Sequence, residues 1–278
     1  MKIIISHDVD HITVWEHKKD LIIPKHILRS FIEFSIGYSS LSELINRFKS
    51  ITKNKWQNID ELIDFDKINV IPSTFFVAVK NGRNLNYSLK NAQIWINRII
   101  ESGLDLGLHG LAYSNYSAIK EEYTIFKNLS KLNTFGIRIH NIGKRDCDIG
   151  LTKENLALMN KAQFLFSSNS FEFINPYKVG DFWDFPIHIM DGYILERNGI
   201  FKKQTLEQAK QETVQLVQDA CEKGIRFFNI LFHDIYFSNN FNKCREWYMW
   251  FVCHIKKSGF QFVNYRKAIQ ELENESNN

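Results

Sequence analysis

The apolar run Ile3-Ile4-Ile5 leads directly into Ser6-His7-Asp8-Val9-Asp10-His11, two carboxylates and two imidazoles spaced by single residues. Side chains alternate across a strand, so Asp8 and Asp10 fall on one face at its carboxyl end. A carboxylate pair at that place in an α/β protein suits metal-assisted or acid/base chemistry. The same kind of residue recurs where later apolar runs end: His109, Arg138 with His140, Trp183 with Asp184, and His233 with Asp234. In parallel α/β architectures strand ends face one common mouth, so these residues form a candidate site. His17, His26, His188 and His254 read as structural or surface residues.

The elements that must position them follow from the hydrophobic pattern. Apolar runs of strand length fall at residues 3–6, 73–79, 104–109, 135–139, 164–167, 183–187, 226–232 and 260–263. Amphipathic stretches lie near 25–49, 88–102, 118–132, 152–162, 204–223, 241–257 and 265–274. That alternation predicts a parallel sheet with crossover helices, curled into a closed or nearly closed toroid. Thr152 and Thr205 read as helix caps followed at once by acids. Gly103, Gly224 and Gly259 stand where left-handed helix ends are expected. Residues 11–69 are long for one crossover and read as two helices broken at Gly37-Tyr38-Ser39-Ser40, either a flap over the site or a surface insertion. The tail from Asn274 is expected to fray.

Composition narrows the function classes. The chain has 278 residues, 44% hydrophobic, with 4 prolines and 13 glycines and no linker-like tract, so a single domain over 1–278 is expected. Its 35 basic residues against 31 acidic ones give a formal charge of +4 without a basic run, which disfavours nucleic acid as a partner. Cys147, Cys221, Cys244 and Cys253 show no CxxC spacing and read as reduced thiols. No window approaches the roughly 18 apolar residues of a membrane span. The opening apolar run is too short for an export signal, so the cytoplasm is the expected compartment.

Over about residues 2–263 the chain resembles the polysaccharide deacetylases, whose domain is also called the chitooligosaccharide deacetylase homology domain (carbohydrate esterase family 4-like). Ser6-His7-Asp8-Val9-Asp10 resembles the family's first motif, in the variant with one residue between the aspartates, and Ser73-Thr74-Phe75-Phe76-Val77 resembles the core strand that follows. Asp105-Leu106-Gly107-Leu108-His109-Gly110 is similar to the second motif and Gly136-Ile137-Arg138 to the third. Trp183-Asp184-Phe185-Pro186 resembles the stretch near the fourth, and Ile230-Leu231-Phe232-His233 the fifth.

The resemblance implies a distorted (β/α) barrel of about seven parallel strands and hydrolysis of an acetyl group on a sugar, assisted by a divalent metal, usually zinc. It implies Asp8 as general base, Asp10 and His109 as metal ligands, Arg138 as the group orienting Asp8, and His233 as general acid tuned by Asp184. Tyr113, Trp183 and His140 are expected to contact substrate, and Trp15, Tyr116 and Tyr236 to offer further rings for a sugar. The chemistry fits these residue types: an amide carbon is a poor electrophile and needs an activated water, a stabilised oxyanion and a proton for the departing amine.

One departure bears on the metal. The second motif's second histidine is replaced by Tyr113, and a neutral phenol is a poor zinc ligand. Three outcomes stay open: His11, His140 or another group substitutes; two protein ligands remain; or no metal binds. The expected substrate is an acetylated sugar precursor of a cell-surface polysaccharide. The alternatives are a carbohydrate-binding protein without turnover and a hydrolase of non-sugar amides.

Overall fold

The computed structural model describes residues 1–142, 151–195 and 204–276. Strand β1 (Lys2–Val9) lies at the centre, flanked in parallel by β2 (Thr74–Val77) on one side and β9 (Phe227–Leu231) on the other. From β2 the sheet continues in parallel through β3 (Asp105–Gly110), β4 (Ile137–Ile139), β5 (Phe166–Ser167) and β7 (Phe182–Asp184). β8 (Ile189–Met190) pairs in parallel with the far side of β9.

β7 and β8 are separated only by Phe185, Pro186, Ile187 and His188. Phe185 N–H donates to Ser167 O at 2.9 Å, and His188 N–H donates to Asn229 O at 2.9 Å. One crossing segment thus joins the two ends of the sheet. Counting it once, the barrel has seven staves among the described residues, all parallel, as the family resemblance implies, against eight strand-length runs in the hydrophobic pattern. The short β6 (Tyr177–Val179) hairpins antiparallel onto β7 across Gly180, and β10 (Gln261–Phe262) pairs with the start of β1.

Strand alternation divides the side chains. Ile3, Ile5 and Val9 pack outward under the helices, whereas Ile4, in the same strand, joins Phe76, Phe166, Phe185 and Tyr265 in a separate buried cluster inside the barrel. The inward rows explain two glycines. A Cβ on Gly107 would sit 2.5 Å from the Phe76 ring and one on Gly136 2.3 Å from the Phe166 ring. Below the rings, Tyr265 opens α10 (Tyr265–Ser276) and stacks on Phe166 at 4.3 Å, plugging the barrel floor.

The long crossover holds three α-helices where the sequence suggests two: α1 (Ile22–Ser35), α2 (Leu41–Thr52) and α3 (Ile59–Ile68). The break between α1 and α2 falls at 37–40, where Ser40 caps α2 in a box with Glu43. The other crossovers are α4 (Leu89–Ser102), α5 (Tyr116–Ser130), α6 (Lys153–Lys161), the short α7 (Asp191–Leu195), α8 (Leu206–Glu222) and α9 (Asn242–Lys257). Thr152 and Thr205 form capping boxes, and Gly103, Gly224 and Gly259 have φ of +81°, +67° and +77°. α10 runs on to Ser276, beyond the expected start of the tail. Cys147 lies outside the described residues. Among the described residues Cys221, Cys244 and Cys253 form no disulfide, and no helix is long and apolar enough to cross a membrane.

Candidate active site

The inward rows of four strands end at one place. On β1 the row Ile4, Ser6, Asp8 continues to Asp10; β3 contributes Gly107 and His109; the row leading through β4 contributes Gly136, Arg138 and His140; and β9 leads through Asn229 and Leu231 to His233. Apolar rings fill the lower barrel, so the polar ends of these rows gather above a dry floor.

Arg138 is fully buried at the boundary between ring layer and site. Its Nη1 donates to Asp8 Oδ1 at 2.9 Å, its Nε to Ser168 O at 3.1 Å, and its Nη2 to Ser168 Oγ at 2.7 Å and Tyr265 OH at 2.8 Å. The guanidinium also lies 4.4 Å from the Phe76 ring centroid. Burial works against its charge, but Tyr265 and Asp8 raise its pKa further. A cation held from every side fixes the orientation of the Asp8 carboxylate.

Above Asp8, three groups converge. Asp10 Oδ1 lies 3.1 Å from His109 Nε2 and 3.3 Å from His140 Nδ1, and the two imidazole nitrogens are 3.1 Å apart. The outer nitrogen of each ring faces a backbone carbonyl: His109 Nδ1 lies 3.1 Å from Arg138 O, and His140 Nε2 lies 3.1 Å from Arg83 O. A ring nitrogen facing a carbonyl carries the hydrogen, so both inner nitrogens present lone pairs. Three electron-pair donors aimed at one point repel unless a cation sits between them. Separations of 3.1 to 3.3 Å are the edges expected around one ion at roughly 2.0–2.2 Å from each donor. The donor set therefore fits a divalent metal. Without one, burial raises the Asp10 pKa, but His140, His109 and His233 together drive it well below the usual carboxylate range; burial opposes charge on His140, but Asp10 raises it.

His233 completes the ring. Asp191 receives its Nδ1 at 2.9 Å and its backbone N–H at 2.6 Å, leaving Nε2 3.7 Å from Asp10 Oδ2. Burial disfavours the imidazolium, but Asp191, with Asp10 and Asp8 beyond it, lifts His233 to about 10. Asp234, buried beside it, is pushed up to about 8 by desolvation.

Asp8, Asp10, His109, His140, Asp191 and His233 line a cavity of about 390 Å³. The long crossover forms part of its wall through Ile22 and His26 of α1 and Trp56 of the loop between α2 and α3, and Tyr236 and Phe241 add rings. The insertion is thus part of the site.

Three expectations need correction. Asp184 does not reach His233. It is fully buried, accepting from Ser167 Oγ, from Ser170 Oγ at 2.5 Å and from Asn169 N–H at 3.2 Å, and it braces the β5–β7 junction. The place beside His233 belongs to Asp191, which the sequence reading missed because it lies past Pro186, where the crossing segment reaches the other side of the barrel. The signal was there: Asp191 ends the apolar run Ile187-His188-Ile189-Met190 as Asp8 ends the first one. Trp183 is buried in the cluster of Ile4, Phe76 and Phe166 and is absent from the cavity wall. Tyr113 is absent from it too; its ring packs under Arg83 at 5.0 Å, behind the loop whose carbonyl orients His140.

Of the remaining rings, Tyr236 lines the cavity, whereas Trp15 is 51% exposed at the surface. His140 stands with the donor groups. His11, the other candidate third donor, turns its Nδ1 to His17 Nε2 at 3.0 Å, and burial pushes its pKa down to about 4. His7 is a buried brace between Phe232 O and Asp66.

No protein-family model and no curated protein matches this chain. Several solved structures resemble it, two of them as follows. The crystal structure of Puue allantoinase matches with a TM-score of 0.60 at 12% identity, over 96% of this chain and 87% of that one. That of a probable polysaccharide deacetylase from Pseudomonas aeruginosa PAO1 matches with a TM-score of 0.59 at 12% identity, over 96% and 88%. This chain shares their fold. At that identity the likeness speaks for the barrel and its topology alone.

Proposed function

We propose that the protein is a metal-assisted hydrolase that removes the acetyl group from an N-acetylated sugar, a precursor of a cell-surface polysaccharide. The observation that carries this reading is the convergence of Asp10, His109 and His140 on one point between Asp8 and His233. Zinc suits two imidazoles and a carboxylate. A divalent cation held there would polarise the acyl oxygen and acidify a water.

The chain's own residues supply the rest. Asp8, fixed by Arg138, takes a proton from the attacking water. His233, held protonated by Asp191, passes a proton from Nε2 to the departing nitrogen as the carbon–nitrogen bond breaks. Water and amide become acetate and amine, and the two proton-handling groups lie on either side of the donors: Asp8 Oδ2 is 3.8 Å from His109 Nε2, and His233 Nε2 is 3.7 Å from Asp10 Oδ2. A binding protein without turnover, the alternative suggested by Tyr113, loses its motive once His140 can serve as third donor.

The test is acetate release from a panel of N-acetylated hexosamines, free and carrier-linked, with zinc added back to chelated protein. Release that requires zinc and disappears in Asp10→Ala supports the reading. Metal-dependent cleavage of cyclic ureides with inert sugars would move the substrate to non-sugar amides. Inertness towards both classes refutes it.

A further inference from the structure

α1 has two working faces. Ile22, His26 and Arg29, spaced i, i+4, i+7, line the cavity, while Leu28 and Phe31, one turn apart, point to solvent at 62% and 49% exposure. On α2, Leu41 and Ile45 are likewise exposed, at 57% and 45%, and a Phe31–Phe48 ring contact at 5.5 Å ties the two helices together. Leu21, at 66%, and Trp15 are exposed in the segment that leads into α1.

The charges around it are one-sided. Lys18, Lys19, Lys49 and Lys53 are exposed and Lys25 stands at the cavity wall, whereas Glu33 and Glu43 are buried and Glu16 and Asp20 are half-buried. Glu16 accepts from Ser88 N–H and Asp20 from Asn86; Glu33 is shared by Arg29 and Arg47, and the Glu43 carboxylate accepts from Ser40 N–H and Asn242 N–H. This stretch carries eight basic residues against four acidic ones, a surplus equal to the whole chain's formal charge of +4.

We propose that the outer face of the α1–α2 hairpin docks on an anionic lipid bilayer. Protein interfaces are depleted in lysine, and two copies of this face would meet with like charge. Segments that lie in a membrane interface instead combine lysines with Trp, Phe and Leu, as here. Docking would set the cavity wall, on the opposite face of α1, about 10 Å from the bilayer surface, within reach of a lipid-linked glycan precursor. The docking goes beyond the catalytic reading and stands even if no amide is cleaved.

The test is co-sedimentation of the full chain with phosphatidylcholine vesicles, with and without phosphatidylglycerol. Partitioning is expected to rise at least about twentyfold with the anionic lipid, and to fall by a similar factor or more in Lys18→Glu/Lys19→Glu, since each of the two lysines near the surface contributes roughly fivefold. Leu28→Ser/Phe31→Ser, exposed positions outside the cavity wall, should lose binding while keeping the wild-type circular dichroism spectrum. The proposal is overturned if the chain ignores anionic vesicles or if both double variants bind as the wild type does. It is equally overturned if the chain forms dimers that Phe31→Ser dissolves, which would assign the face to a second copy.

Discussion

Asp191→Asn isolates the element that separates this site from a simple metal-and-carboxylate arrangement. Asp191 accepts both the Nδ1–H and the backbone N–H of His233, so the amide variant keeps the shape and removes the charge. His233 stands at about 10 rather than 6.5, which corresponds to roughly 5 kcal/mol of preference for the charged ring. Without the Asp191 charge, burial pulls the ring towards or below its ordinary value, and at pH 7.5 a histidine of pKa 6.5 is only about one-tenth protonated. Imidazole nitrogen NMR on metal-free protein should show His233 cationic through pH 8 in the wild type and neutral above about 6.5 in the variant. Deacetylation at pH 7.5 should fall at least about tenfold, with the alkaline limb of the pH–rate profile moved to lower pH. A variant whose ring titrates as the wild type does, or whose profile is unmoved, would refute the assignment of His233 as an acid held charged by Asp191.

The corrected placement of Trp183 predicts that Trp183→Phe leaves substrate affinity unchanged and lowers the urea midpoint, since the indole packs inside the barrel and not on the cavity. Gly136→Ala should destabilise by about 1–3 kcal/mol in urea titration, because its methyl would meet the Phe166 ring, and Phe166→Leu in that background should restore part of the loss. Burial and the Arg47 and Arg29 charges push His26 down to about 3. The unfolded chain therefore binds the extra proton between about pH 3 and 6.5, and His26 contributes stability that grows with pH across that window and fades below it. The stability difference between wild type and His26→Gln should rise through the window; a flat difference contradicts the buried neutral ring.

The staves were legible because barrel strands are covered on both faces and read as short apolar runs between helical periods. Their inward parity was legible too, in Asp8 and Asp10, and in Arg138 and His140, each pair spaced by one residue. The crossing segment was not: Trp183-Asp184-Phe185-Pro186 and Ile189-Met190 look like one strand, whereas the chain leaves β5 and reaches β9 within it. The residue that counts for His233 therefore lies at its far end, as Asp191. α3 escaped notice because residues 59–68 carry acids and lysine among the apolar positions, and its burial against the sheet is a tertiary effect. At Tyr113 local spacing left open whether His11, His140 or another group takes the missing histidine's place, and only the fold brings His140 beside Asp10 and His109.

In the proposed mechanism Asp10, His109 and His140 together hold one divalent ion. Anomalous diffraction at the zinc edge from crystals of the purified protein, paired with elemental analysis, tests it directly. One metal per chain, within roughly 2.0–2.2 Å of Asp10 Oδ1, His109 Nε2 and His140 Nδ1 and lost in His140→Ala, is the predicted result. Metal bound elsewhere, or full occupancy retained in His140→Ala, would contradict it.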